Sequence, residues 1–368
     1  MIIVLGDLHF GMRRNNRVFQ EILLRELQGV LKRVTKKDSV VILGDIFDSR
    51  SSVDFRVLND AWNFFIELSR SCKEVFITVG NHDLYYRENA EEFVNCRFLR
   101  FEPGADSKIA PVHIVNEITE AKIGGKKCLF IPWVDSNEMK NQAVDAMLGD
   151  YDIVFGHFET IGLYGQHAID ERTMFENEDF PDNTVILSGH YHNRSQKGKI
   201  QYVGSLINST FNDVGETKGI HTIKRDNKVE FIEGNSPIFE YINIDNPTGF
   251  LTAIETATTE QIEGIQKRVS GNIIKLIMNE YGTHTDKVFK FFKGMTPLEL
   301  TVSYNRVSFD NGDDGEEFEG FDARSDIQDI IHKYIEKVEG KLPADINPAD
   351  IKMLIAKKHQ EFKIDQAS

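Results

Sequence analysis

At 368 residues, with 40% hydrophobic and 27% charged side chains, the chain exceeds one average domain and calls for two or three units with cores of their own. No stretch is apolar enough for a bilayer span, polar residues enter the N-terminal MIIVLGDLHFG too early for a secretory signal, and three widely spaced cysteines (Cys72, Cys96, Cys128) suit reduced thiols in a cytoplasmic protein rather than a disulfide framework or a zinc cluster. A net charge of −15 argues against non-specific coating of nucleic acid, whose phosphates call for Lys and Arg, but not against a site whose cations supply the positive charge.

In chain order, short β-branched runs end abruptly in Gly, Asn, Asp or His. Residues 2–5 precede Gly6-Asp7, 40–43 precede Gly44-Asp45, and 75–79 precede Gly80-Asn81-His82. Residues 128–131, 153–155 (before Gly156-His157) and 185–187 (before Ser188-Gly189-His190) repeat the pattern. Helical periodicity over 18–34 and 55–68 separates the first three runs. Strand–helix alternation of this kind predicts an α/β fold with buried, largely parallel strands. In such sheets ligands sit beyond the carboxyl ends of the strands, where these polar residues fall.

From about residue 236 to 307 the pattern changes. Helical stretches at 259–269 and 285–292 alternate with strand-like 273–278 and 298–303, which predicts a small α+β cap domain after a first domain spanning 1–235. Residues 308–324 form an acidic linker. Between Asp310 and Asp326 eight carboxylates face one arginine, Arg324, and hold about half of the net negative charge. Beyond it, Ser325-x-x-Gln328 has capping-box form, and Ile327, Ile331 and Tyr334 share the face of the helix it opens. Asn347-Pro348 starts a second helix with Ile351, Leu354 and Ile355 on one face. Residues 325–368 thus read as a helical hairpin too small to hold a core alone, with those six residues as its partner-binding surface.

Five segments carry the chemistry: Asp7-Leu8-His9, Gly44-Asp45-Ile46-Phe47-Asp48, Gly80-Asn81-His82-Asp83, Gly156-His157 and Gly189-His190-Tyr191-His192. One Asp-x-His or Gly-Asp at a strand end is ordinary turn or hydrogen-bonding structure. Five of them, holding five of the 11 histidines, are not. Oxygen and imidazole donors without thiolates suit Mn, Mg, Fe or Zn in a higher-coordinate site. Two cations sharing one carboxylate need about seven protein ligands, and a pair roughly 3.5–4 Å apart can clamp a phosphate and activate water for in-line attack. Arg13, Arg14 and Arg17 follow the first segment and form a candidate DNA-phosphate contact, or equally a basic patch with no ligand.

The order DxH, GDxxD, GNHD, GH, GHxH resembles the calcineurin-like metallophosphoesterase superfamily. With Tyr202-Val203-Gly204-Ser205, the small following domain and the helical tail, the chain is similar to the SbcD/Mre-eleven DNA-repair nucleases, and most of all to phage recombination nuclease subunits. The resemblance implies a sandwich of two β-sheets flanked by helices and two divalent ions, Mn first and Mg second. Asp7, His9, Asp45 and His192 would bind one ion; Asp45, Asn81, His157 and His190 would bind the other. His82 would serve the leaving oxygen as a non-ligand histidine, oriented by Asp48, and Asp83 would be structural. Those relatives often carry histidine where this chain has Asp48. The resemblance further implies DNA as substrate, with exonuclease action on duplex ends and endonuclease action on single strands. It also implies an SbcC/Rad-fifty-type ABC ATPase subunit as partner, and a homodimer within a heterotetramer. Another metallophosphoesterase, acting on phosphoproteins or small phosphodiesters, is the alternative the metal motifs leave open. A scaffold that has lost its chemistry fits poorly with five intact segments.

Overall fold

The computed structural model describes residues 1–85, 94–101, 108–161, 173–278 and 283–304. Six strands form the first sheet: β1 (Ile2–Leu5), β2 (Ser39–Ile42), β3 (Glu74–Thr78), β4 (Val112–Val115), and, from much later in the chain, β11 (Gly219–Ile223) and β12 (Val229–Glu233). A second sheet holds β5 (Thr119–Ile123), β6 (Lys126–Ile131), β7 (Ile153–Gly156), β8 (Val185–Ser188), β9 (Ser195–Lys197) and β10 (Ile200–Tyr202). The spatial orders are β12-β11-β1-β2-β3-β4 and β5-β6-β7-β8-β10-β9. Each sheet has a parallel interior, and its antiparallel pairs lie toward the edges. Strands buried on both faces explain the unbroken apolar runs seen in the sequence.

Side-chain alternation assigns the two faces of β1. Ile2 and Val4 join Val41, Leu43, Cys128, Phe130, Phe155 and Leu187 between the sheets. Ile3 and Leu5 face the other way, against helices α1 (Arg17–Leu31) and α2 (Phe55–Ser71). Helix α3 (Asn137–Met147) covers the outer face of the second sheet with Ala143 and Met147. The result is a helix–sheet–sheet–helix sandwich, as the motif order implied. Asn16 caps α1 by accepting from the amides of Val18 and Phe19, and Asp54 caps α2 through the Arg56 amide, which fixes where each helix starts.

A third sheet lies outside the sandwich: β13 (Phe239–Ile244), β14 (Ile273–Met278) and β15 (Glu299–Tyr304), all parallel. Helices α4 (Pro247–Glu255), α5 (Thr259–Val269) and α6 (Thr283–Gly294) accompany it. Ile274, Leu276 and Met278 pack with Val269, Val288 and Phe292 in a separate small core. These elements belong to the unit Met1–Arg306; the second unit, Val307–Ser368, falls outside the described residues, and with it the expected linker and hairpin. No described helix is long and apolar enough to cross a membrane.

Between the sheets Phe130 stacks on Phe76 and Phe155 at centroid distances of 5.2 and 5.1 Å, with no solvent exposure of its own. Phe130→Ala should therefore cost about 3–5 kcal/mol, the range for emptying an aromatic site in a close-packed core. Chemical denaturation is the check, and a loss under 1 kcal/mol would mean that the sheets do not depend on this stack.

Candidate metal centre

The ends of β1, β2 and β3 in one sheet and of β7 and β8 in the other converge, and the five sequence segments are the loops that leave them. Backbone hydrogen bonds zip these loops together before any side chain acts. The amides of Leu8 and His9 both donate to the Asp45 carbonyl, at 3.1 and 2.9 Å, and Phe10 donates to Ile46 at 2.8 Å. Across the sandwich the Trp133 amide donates to the Val79 carbonyl at 2.8 Å. Contact this close requires glycine at two places. A Cβ on Gly189 would fall on the Leu43 carbonyl, and Gly44, at φ 86°, would drive one into the His157 ring. Three chemistry-bearing residues, His9 (φ 48°), Asp45 (φ 51°) and His190 (φ 82°), lie in the left-handed region despite their side chains. Each costs roughly 1–3 kcal/mol, a strain that persists where surrounding structure over-determines it.

Asp83 supplies much of that determination. Its buried carboxylate accepts from the amides of Asp45, Ile46 and Gly80, each at 2.9 Å. Burial and the neighbouring Asp45 charge push its carboxyl up to about 7, against the pull of the amides. The structural role expected of Asp83 is thus visible as a clamp between two of the loops.

Asp45 lies between two histidines. Its Oδ2 is 3.7 Å from His9 Nε2 and its Oδ1 is 3.5 Å from His157 Nε2, while Oδ1 also accepts from the His82 amide at 2.8 Å. Burial works to raise its pKa, but the charges of His157, His9 and His82 hold the carboxyl well below the usual range. On one side, His9 Nε2 meets His192 Nε2 at 2.9 Å. On the other, Asn81 Oδ1 is 3.0 Å from His157 Nε2 and 3.1 Å from His190 Nδ1. Asp7 Oδ1 accepts from the His190 amide at 2.9 Å and leaves Oδ2 buried with no hydrogen-bond partner. The seven expected ligands, Asp7, His9, Asp45, Asn81, His157, His190 and His192, therefore form one cluster.

The hydrogen bonds around the cluster show what fits inside. His157 donates its Nδ1–H to the Leu43 carbonyl at 2.6 Å, so in its neutral form a lone pair faces the Asn81 oxygen. His190 turns Nε2–H to Glu159 Oε1 at 2.8 Å, and its Nδ1 lone pair faces the same oxygen. Acceptors thus converge without a hydrogen among them, beside an orphaned carboxylate oxygen. Such a set fits divalent cations. Burial works to lower the His157 pKa, yet the Asp45 and Asp7 charges raise it overall, and a field that draws a proton there draws a cation too. Burial, together with the His192 and His82 rings, pushes His9 down to about 3 against the same carboxylates, so its ring is neutral at pH 7, as a cation's ligand must be. Among the described residues two trios, Asp7/His9/Asp45 and His9/Asp48/His82, bring ligand atoms within 4.8 Å of one another.

His82 sits at the rim, half-buried, with its ring edge-on to His9 at 5.0 Å. Its Nδ1 is 2.5 Å from the main-chain carbonyl of Asp48, not from the carboxylate. The Asp48 carboxylate instead stands 3.6 Å from His9 Nδ1, and its pKa is raised by burial. Of the arginines, Arg13 pairs with Glu299 of β15 at 3.4 Å and covers the Phe19 ring. Arg17 pairs with Glu21 at 2.7 Å, and Arg14 is exposed. The expected partner-binding residues, Ile327, Ile331, Tyr334, Ile351, Leu354 and Ile355, lie outside the described residues.

Two contributors, Glu159 and Lys218, carry no signal in the sequence, and a third, Trp133, stands in Ile131-Pro132-Trp133, which resembles the phage nuclease subunits or reads as core packing. Glu159 backs His190, Trp133 packs against the His190 and His157 rings at 5.1 and 6.1 Å, and buried Lys218 donates to the His192 carbonyl at 2.6 Å while paired with Asp213 at 3.0 Å. A carboxylate two residues beyond a histidine is commonplace, and lysine is the residue least expected inside.

The sequence profile described as Calcineurin-like phosphoesterase matches residues 1–194. Exonuclease subunit 1 of Enterobacteria phage T4 is 21% identical over 367 residues, covering 98% of each chain. The SbcD component of the SbcCD nuclease from Escherichia coli (strain K12) is 24% identical over 268 residues, covering 61% of this chain and 64% of its own length.

Asp83→Asn replaces one acceptor oxygen by a donor facing buried amides. Since a buried unsatisfied donor costs roughly 1–3 kcal/mol, stability should fall by about that amount. An unchanged unfolding midpoint would show that the two loops are held by other means.

Proposed function

The chain belongs to the calcineurin-like phosphoesterase family, and from that membership we propose that it is a two-metal DNA nuclease working with an ATPase subunit. The observation that carries the reading is the convergence of acceptors around Asp45, Asn81 and the four histidines His9, His157, His190 and His192. Asp7, His9, Asp45 and His192 hold one ion in this proposal; Asp45, Asn81, His157 and His190 hold the second, with Asp45 shared and Mn²⁺ ahead of Mg²⁺. Bound divalent cations supply Lewis-acid charge to phosphoryl oxygens and make water acidic enough to attack. The protein's own groups do the rest. The hydrogen bond from His82 Nδ1 to the Asp48 carbonyl fixes the ring and leaves Nε2 as the atom that meets the leaving oxygen and protonates it. The Asp48 carboxylate adds negative charge at the same rim, 3.6 Å from His9 Nδ1.

DNA as the substrate is supported by the surface beside the cluster. Two residues beyond Ser209, whose hydroxyl is 3.5 Å from His192 Nδ1, Phe211 packs against Tyr241 at 5.0 Å, and Lys275 lies over both rings. Tyr241 is 39% exposed. Aromatic faces with a cation between them suit bases and phosphates of a single strand, and a small phosphoester has no use for them. The names of the relatives, an exonuclease subunit and a nuclease component, point the same way. On this reading the enzyme degrades duplex ends and cuts single strands, in the cytoplasm. Residues 1–235 are the nuclease domain, 236–307 the cap, 308–324 the tether and 325–368 the hairpin that docks an SbcC/Rad-fifty-type ATPase, with two copies of each protein in the complex. The full-length match to a phage subunit supports including the tail.

The test is hydrolysis of linear DNA and of a small phosphodiester by the purified chain with Mn²⁺. Chelation and Asp45→Asn should abolish both activities, and His82→Ala should keep its metals yet lose roughly 10²–10⁴ in rate. Tyr241→Ala should raise KM for DNA about tenfold more than for the small ester, consistent with stacking worth ~1–3 kcal/mol per base. Equal effects on the two substrates would remove DNA from the proposal.

Deleting 325–368 should abolish binding to the ATPase and ATP-stimulated duplex degradation together, while metal-dependent activity on single strands persists. Ile331→Asp or Leu354→Asp should reproduce the loss, because one buried charge disrupts a helix-in-groove contact. Undiminished co-purification of the truncated chain would assign the hairpin another role.

A further inference from the structure

The two cation positions are not backed alike. At one of them His157 gives its distal N–H to a neutral main-chain carbonyl, Leu43, at 2.6 Å, whereas His190 gives its distal N–H to the Glu159 carboxylate at 2.8 Å. At the other, His9 Nδ1 is buried without a hydrogen-bond partner. The closest carboxylate, Asp48, stands 3.6 Å away, beyond a good hydrogen bond. His192 Nδ1 has only the Ser209 hydroxyl at 3.5 Å. A carboxylate behind an imidazole fixes the tautomer, holds the ring orientation and makes the inner nitrogen more basic. Trp133 lies against His190 and His157 and shields that side from water, which strengthens the electrostatic pull there.

Resting on the two-metal reading, we propose that Glu159 is a positioning residue that makes the Asn81/His157/His190 position the tighter of the two, so that the cations load in order with this one first. Glu159 itself touches neither substrate nor ion. Its carboxylate commits His190 to donating through Nε2, so that Nδ1 is always the lone-pair atom presented beside Asn81 Oδ1, 3.1 Å away. The His9/His192 pair has no such commitment. Either ring can carry the proton between their Nε2 atoms, 2.9 Å apart, and that arrangement has to be undone before both can ligate.

The protein contains two tryptophans, Trp62 and Trp133, so Trp62→Phe leaves Trp133 as the only indole and a local reporter. Mn²⁺, which is paramagnetic, should quench Trp133 as the first ion enters, and calorimetry on the full-length chain should resolve a second, weaker event. Glu159→Gln keeps an acceptor for the His190 N–H but removes the charge. It should raise the Kd of the ion that quenches Trp133 by roughly 10–100-fold, the usual effect of losing such a partner, and leave the other Kd within about twofold. Glu159→Asp, which keeps the charge on a shorter stem, should fall between. Tm measured without metal should be the same for all three proteins. Unchanged affinities in Glu159→Gln, or an equal weakening of both ions, would overturn the assignment. Failure of the wild-type chain to bind two ions at all would overturn the two-metal reading itself, and is a separate result.

Discussion

One buried carboxylate holds the metal centre in register. Asp83 accepts three backbone amides, two from the loop after β2 and one from the loop after β3, and through them sets where Asp45 and Asn81 stand. Asp45 then sets the loop after β1, because its carbonyl takes the amides of Leu8 and His9. The second sheet is tied in by the His157 ring on the Leu43 carbonyl. The left-handed backbone at Asp45 and His9 is tolerable only inside this lattice of bonds, since an unsupported loop would relax into a commoner conformation. The chemistry is displayed on strained backbone, and the strain is kept by groups that never meet the phosphate.

Electrostatics reconciles so acidic a chain with the DNA substrate proposed for it. The net charge of −15 is unevenly placed, with about half of it between Asp310 and Asp326. Inside the site Asp7 and Asp45 are buried, and the cations proposed there would cancel that density of charge. In the proposed nuclease the attraction for phosphate is then local and delivered by the bound ions, while the acidic remainder of the chain disfavours non-specific nucleic acid. The arginines after the first segment contribute less than their number suggests, since Arg13 and Arg17 are engaged with Glu299 and Glu21. Arg13 instead joins the loop of His9 to the third sheet.

How much of this was legible in the sequence depended on whether a residue's chemistry announces its setting. β1, β14 and α5 read almost to the residue, because long apolar runs and helical spacing survive any context. β9, β11 and β12 did not. Gln196 and Lys197 make β9 polar, and β11 carries Gly219 and His221, so β9 and β12 are strands through hairpin pairing with β10 and β11, and β11 through its pairing with distant β1. The five metal-centre segments stood out because Asp, Asn and His recur at strand ends with glycine before most of them. Glu159 and Lys218 did not, as their types are usual on any surface and only the fold shows them pressed against His190 and His192. The same limit holds at Asp48, where no sequence argument separates the carbonyl that meets His82 from the carboxylate beside His9.

The pairing of β1 with β11, Ile2 opposite Ile223, has a consequence for biosynthesis. β1 lies inside its sheet, and one flank stays bare until β11, more than two hundred residues further along, has been made. Local contacts cannot assemble such a topology early, and closing so long a loop slows folding. His190 and His192 arrive late as well, after four strands of each sheet and before the last two of each. A nascent chain therefore carries Asp7, His9 and Asp45 until about half of these 368 residues are made without the groups that complete their cluster. The topology itself postpones completion of the cluster until most of the two sheets can form, a built-in delay between making the first candidate ligands and assembling the site.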